Sequence, residues 1–160
     1  EFSQTNSDDT TSSGTILIKR PGRMRFEYNK PDKTLVLVSA GALAIFDAKG
    51  DEEPITYPIK NNPISLILKG EVDLVNSGIV ANHEVSAEKA VLTIRDPKKP
   101  QLGSVELVFV GTKPQLEKFI IKNENGSSTS ISLKDIKYPK NLNETMFSIA
   151  LETSKRQRKD

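Results

Sequence analysis

Apolar side chains in this sequence recur at every second residue in short runs, and each run is ended by glycine, proline, asparagine or aspartate. That period belongs to extended chain, in which neighbouring side chains point to opposite faces. In the stretch 24–28, Met24, Phe26 and Tyr28 fall on one face and Arg25 and Glu27 on the other, the pattern of a strand wetted on one side. The same texture marks 14–19, 33–38, 42–47, 55–59, 79–85, 90–95, 104–110, 115–122, 127–136 and 146–150. The turns between them are tight, and Asn125-Gly126 is the clearest hairpin dipeptide. About eleven short strands at this spacing predict a mainly β fold, an antiparallel sheet curling toward a barrel. Residues 4–13, rich in Ser, Thr and Asp, read as a loop or mobile end.

A chain of 160 residues suits one domain, assigned to residues 1–153. Lys155, Arg156, Arg158 and Lys159 against Asp160 make residues 154–160 a basic tail, expected to be disordered, and leave the body without the net charge of +2. Such a body, with six Phe and three Tyr scattered singly, offers no nucleic-acid footprint. The longest charge-free apolar stretch, 38–46, is far short of the roughly 20 residues of a membrane-spanning helix. Without cysteine there is neither a disulfide framework nor a thiolate metal site. His83 has no second histidine to complete a zinc site or a nucleophile–base pair, and Asp8-Asp9 and Asp51-Glu52-Glu53 lack the spacing of a calcium loop. No phosphate loop, dinucleotide fingerprint or nucleophile elbow occurs. The pattern supports no catalytic residue, metal or cofactor, so the chain reads as a binding protein rather than an enzyme.

One segment departs from the period of two. Asn62 suits a helix cap, Pro63 the first helical position and Gly70 the position after the end, which predicts one or two helical turns over 64–69. Ile64, Leu66, Ile67 and Leu68 leave this helix almost no polar face. It either plugs the open end of the sheet as ordinary core or moves as a lid, and the pattern alone leaves both open.

The stretch from Gly14 through Lys19-Arg20-Pro21-Gly22-Arg23-Met24-Arg25-Phe26-Glu27-Tyr28 to Pro31 resembles the mark of the outer-membrane lipoprotein carrier (LolA) family of Gram-negative bacteria. That mark is a glycine, a short strand, Lys-Arg-Pro-Gly-x-Met/Phe-Arg-Phe/Trp-x-Tyr and a proline. Leu35 to Ser39 with Gly41, Ala44 to Asp47, Tyr57-Pro58, Asn62 to Leu68, Gly103 to Phe109, Thr129 to Leu133 and Met146-Phe147 follow in the family's order. Ala40 stands where the family has aspartate, and the amphipathic helix that precedes the family's Phe-x-Gln, matched by Phe2 to Gln4, is missing, as if the chain were truncated at its N-terminus.

The resemblance implies an unclosed antiparallel β-barrel of about eleven strands whose apolar face holds acyl chains under short lid helices. It implies a monomer in the periplasm that takes lipoproteins from an inner-membrane releasing transporter to an outer-membrane acceptor, where one is present. Alternation and the lid pattern assign Met24, Phe26, Leu35, Leu37, Leu43, Ile45, Ile64, Ile67 and Leu68 to one acyl-chain cavity. Both faces of 35–38 are apolar, so Val36 and Val38 are equal candidates to face inward. From the family, Arg20 is expected to latch the lid through backbone carbonyls; from the residues alone it is an exposed arginine at a strand end. A lipid-sensing domain on the same fold and a β-module that binds a non-lipid partner are the other classes.

Overall fold

In the computed structural model, which describes residues 1–48, 53–71 and 73–158, eleven strands form one antiparallel sheet. In chain order they are β1 (Phe2–Asn6), β2 (Thr11–Lys19), β3 (Arg23–Tyr28), β4 (Leu35–Ser39), β5 (Ala42–Phe46), β6 (Ile55–Pro58), β7 (Val80–Val85), β8 (Lys89–Ile94), β9 (Gly103–Val110), β10 (Gln115–Asn123) and β11 (Ser128–Leu133). Across the sheet they run β6-β5-β4-β3-β2-β1-β11-β10-β9-β8-β7. The first and last strands in sequence are thus neighbours in the middle, and two meanders step outward from them. The ends, β6 and β7, do not pair with each other among the described residues, and the barrel stays unclosed.

Apolar residues of the two meanders meet across one face of the sheet. Phe26 and Val38 from one meander share a single buried cluster with Ile94, Val105 and Phe119 from the other. Gly14 permits the closest approach at the centre. A β-carbon there would lie 2.1 Å from the Glu27 carbonyl oxygen and 2.9 Å from the Phe2 ring, so only glycine lets the β3 backbone and Phe2 both lie against β2.

Two expectations from the sequence change. Residues 4–13 are not a loose end: they complete β1, turn at Asp9 (φ 61°) and begin β2. Their polar side chains concealed this, yet threonine is a good strand former, and the backbone is paired on both sides, Gln4 with Ile131 and with Ser12. Residues 146–150 are not a strand. Asn143 Oδ1 accepts from the Thr145 amide (3.0 Å) to start a 3₁₀ turn, Glu144–Phe147, and Ser148 Oγ accepts from the Leu151 amide (3.2 Å) to start the helix α1 (Ile149–Gln157). Glu152 in the first turn and Lys155 and Arg156 in the last complement the helix dipole. The helix therefore runs through the point where a disordered tail was expected. Lys159 and Asp160, like Asp51 and Glu52, lie outside the described residues.

This C-terminal segment covers the outer face of one meander. Leu35, Leu37, Ala44 and Phe46 form a second buried cluster there, with Ile149 of α1 packed against it. Phe147 is fully buried. Lys19 and Arg23 both reach Glu144, at 2.5 and 2.7 Å, and the Arg25 guanidinium donates to the Met146 carbonyl oxygen (3.1 Å).

Candidate functional site

The segment between β6 and β7 crosses the inner face. After a first 3₁₀ turn at Ile59–Asn61, Asn62 Oδ1 accepts from the Ile64 amide (3.0 Å) and a second turn runs over Pro63–Leu66, so the expected cap and the proline after it are in place on a 3₁₀ rather than an α geometry. Ile64, Leu66 and Leu68 are buried, and Ile67 is half-buried. All four belong to the inner cluster, among Met24, Val38 and Leu43 of one meander and Ile94, Val105 and Phe119 of the other. The short segment fills the space between two apolar walls.

Its ends are tied by backbone, and to the same meander. Ile59 donates to the Gly41 carbonyl oxygen (3.0 Å) at one end, and Gly22 donates to the Leu68 carbonyl oxygen (2.8 Å) at the other. Gly70 lies against Pro21, so that a β-carbon there would be 3.5 Å from the Pro21 Cβ. The expected latch is corrected here. Arg20 is exposed and makes no hydrogen bond or ion pair with the described residues. The turn it precedes reaches the lid through the Gly22 amide instead, because an N–H two residues on already points at the carbonyl that a guanidinium would have had to find.

The stretch 19–26 therefore works on both faces of the sheet. Met24 and Phe26 enter the inner cluster, Pro21 and Gly22 hold the lid, and Lys19, Arg23 and Arg25 hold the C-terminal segment on the outside.

Met24, Phe26, Ile64 and Leu68 are buried in the inner cluster, and Leu43 and Ile67 pack against it. Ile45 is half-buried and pairs with Val36 of that cluster's margin. Leu35 and Leu37 are not on the inner face. They lie on the opposite face beneath α1, and Val36 and Val38 take the inward positions. The turn settles this. Ala40 (φ 49°) and Gly41 (φ 78°) form a two-residue hairpin of the primed type, which sets Val38 opposite Leu43 and Val36 opposite Ile45. Opposed residues share a face, so placing Leu43 and Ile45 inside excludes Leu35 and Leu37. The far wall, Ile94, Val105 and Phe119, is not among the residues the sequence assigns to the site; the runs 90–95, 104–110 and 115–122 carry its signal.

The inner face is chemically plain. Phe2 packs edge-on against Phe26 and Tyr28 at centroid distances of 5.2 and 5.1 Å. The Tyr28 hydroxyl donates to Gln4 Oε1 (2.6 Å). Burial, aided by the nearby Asp32 charge and opposed by the Gln4 bond, pushes the phenol up to about 12, so it remains a protonated donor. Among the described residues no group of His, Asp and Glu could hold a metal ion, and no buried side-chain nitrogen or oxygen lacks a hydrogen-bond partner. The arrangement offers an apolar surface under a cover of a few residues.

Residues 1–150 match the family model of the outer membrane lipoprotein carrier protein LolA. Among curated proteins, an outer-membrane lipoprotein carrier protein of Coxiella burnetii is 26% identical over 140 residues, which is 85% of this chain and 65% of the relative. One of Methylococcus capsulatus is 25% identical over 121 residues, 69% of this chain and 56% of the relative. The chain thus spans less than two-thirds of the length of the curated relatives it matches. Among solved structures, a LolA superfamily protein from Nitrosomonas europaea aligns over 92% of this chain and 86% of its own, with a TM-score of 0.47 and 12% identity. A sheet of this topology with the Lys-Arg-Pro-Gly turn at its lid, matched by the family model over almost its whole length, belongs to the outer-membrane lipoprotein carrier (LolA) family.

Proposed function

We propose that this protein carries the acyl chains of lipoproteins on the inner face of its sheet, taking them from an inner-membrane releasing transporter and passing them across the periplasm to an outer-membrane acceptor. It does so by binding, as a monomer, without chemistry or cofactor. The observation that carries this reading is the lid: a segment whose apolar side chains are seated between two apolar walls and which, among the described residues, is held at its C-terminal end by one backbone hydrogen bond, from Gly22 to Leu68.

The magnitudes favour displacement of this lid by cargo. Burying Ile64, Leu66 and Leu68 stabilises the closed form by about 1.5–3 kcal/mol each. An acyl chain gains about 0.8 kcal/mol per buried CH₂, so one chain of roughly sixteen carbons offers about 13 kcal/mol. Two or three such chains outweigh the lid and still leave the complex reversible, since what they gain here they regain in a membrane.

The test is release of a radiolabelled lipoprotein from inner-membrane vesicles, together with binding of a fluorescent fatty acid. Met24 is buried beneath the lid, and Met24→Glu places an unpaired charge on the wall. It is expected to weaken fatty-acid binding and lipoprotein release at least about tenfold while circular dichroism reports a folded sheet. A folded wild-type protein that takes up neither fatty acid nor lipoprotein would make the inner face an ordinary core.

A further inference from the structure

On the opposite face from the lid, α1 packs on β4 and β5 and leaves a cleft of about 500 Å³ between itself and β3. The β3–β4 turn supplies Lys30 and Lys33 to its lining, α1 supplies Lys155 and Arg156, and β3 supplies Arg25. Five cations stand against two carboxylates, Glu27 and Glu152. The excess in this one cleft is greater than the +2 of the entire chain, so the rest of the molecule is on balance acidic.

The charges divide into two sets. Both carboxylates are already engaged. Glu27 accepts from Arg25 at 3.1 and 3.2 Å, and Glu152 accepts from Arg156 Nε at 3.0 Å. The two arginines are fixed further: Arg156 stacks 4.9 Å from the centre of the Phe46 ring and donates to the Asp47 carbonyl oxygen, and Arg25 donates to that of Met146. Lys30, Lys33 and Lys155 are exposed and make no ion pair with the described residues. Lys155 is sufficiently explained as a cation in the last turn of a helix, but the dipole does not call for the two lysines on the facing turn.

We propose that this cleft docks an acidic, extended segment of a partner protein, with the arginine–carboxylate pairs as a rigid floor and the three lysines as the groups that meet the partner's carboxylates. The concave shape selects among anions. A flat anionic membrane meets the rim without reaching the floor, and Leu35, buried, is the sole aliphatic residue of the lining, so no apolar anchor is offered to a bilayer. Carboxylates spaced along an extended chain can meet lysines on both walls together. The site lies across the sheet from the lid, so docking leaves the inner face accessible.

The experiment is fluorescence anisotropy of a labelled hexaglutamate peptide titrated with the whole protein at about 20 mM salt and again at about 300 mM. Three variants are compared: the double variant Lys30→Glu with Lys33→Glu on one wall, Lys155→Gln on the other, and Lys89→Glu, an exposed lysine of β8 outside the cleft, as control. Binding is expected to weaken at least about tenfold in the double variant and severalfold in Lys155→Gln, to change less than about twofold in Lys89→Glu, and to fade at high salt. Equal losses in the control and in the cleft variants would overturn the proposal, as generic charge attraction. So would an absence of peptide binding by a folded protein, or binding of phosphatidylglycerol vesicles that the double variant abolishes while the peptide is ignored.

Discussion

The two meanders of the sheet share a backbone pattern and differ in what covers them. In the first, Leu37, Val38, Ala44 and Phe46 are each at most 1% exposed, because the lid covers the inner face and the C-terminal segment the outer. In the second, Phe119, Val105 and Ile94 are covered as well, as far out as β8, and exposure is confined to the edge strand. The six residues of β7 are exposed apart from Val80, and Val85 is 71% exposed. A strand buried on both faces reads as a continuous apolar run, as Leu35-Val36-Leu37-Val38 does, and a half-solvated one alternates. The difference divides the labour. The first meander is the wall to which lid and helix are both tied by hydrogen bonds; the second ends in an exposed wing, β7.

The largest test of that contrast is core truncation. Phe46→Ala removes a ring held between the sheet and the Arg156 guanidinium and is expected to cost about 3–5 kcal/mol of unfolding free energy in urea. Val85→Ala, on the wing, is expected to stay within about 0.5 kcal/mol. Comparable losses would mean that the wing is packed as tightly as the wall. Next in size is the lid: Ile64→Ala is expected to weaken closure by about 2 kcal/mol, read as faster hydrogen exchange at the Ser65 and Ile67 amides. If exchange at β4 accelerates equally, lid and wall open as one unit.

A smaller effect concerns the outer clamp. The hydrogen bond from Lys19, then the charges of Arg23 and Lys19, hold the Glu144 carboxyl below the usual glutamate range. A lowered value in the folded state stabilises above the ordinary glutamate pKa and loses that contribution as pH falls through the folded one. Stability is therefore expected to fall below about pH 4.3 more steeply in the wild type than in Glu144→Gln, the loss remaining well under that of Phe46→Ala. Parallel acid unfolding profiles for the two would make the clamp incidental.

How far the sequence leads depends on whether local chemistry and tertiary contact agree. Met24 and Phe26 alternate with arginine and glutamate, and their burial follows from that alone. Asn62-Pro63 signals its own cap. The assignment of Leu35 and Leu37 failed because both faces of β4 are apolar, although the hairpin at Ala40-Gly41 already fixes the register that corrects it. β1 was hidden because its side chains are polar and its stability comes from ladders to β2 and β11, the latter more than a hundred residues away. α1 was hidden for the converse reason. Ile149 reads as part of a strand until the Ser148 cap and the surface it covers, Leu35 with Phe46, are known.

The smallest expected effect tests which part of the Lys-Arg-Pro-Gly turn grips the lid. Arg20 is exposed and the Leu68 carbonyl is already satisfied by the Gly22 amide, so Arg20→Leu removes no contact and is expected to leave unfolding free energy within about 0.5 kcal/mol. Exchange at Ser65 and Ile67 is expected to be unchanged as well. Gly22 is a different matter. Its φ of 70° is left-handed, and a β-carbon there would meet nothing within 4 Å, so Gly22→Val is expected to act through the backbone. A β-branched residue there costs about 1–2 kcal/mol and turns the amide away from Leu68. Lid exchange should then rise by about tenfold. The reverse result, fast exchange in Arg20→Leu and native exchange in Gly22→Val, would transfer the grip from the backbone of the turn to the guanidinium.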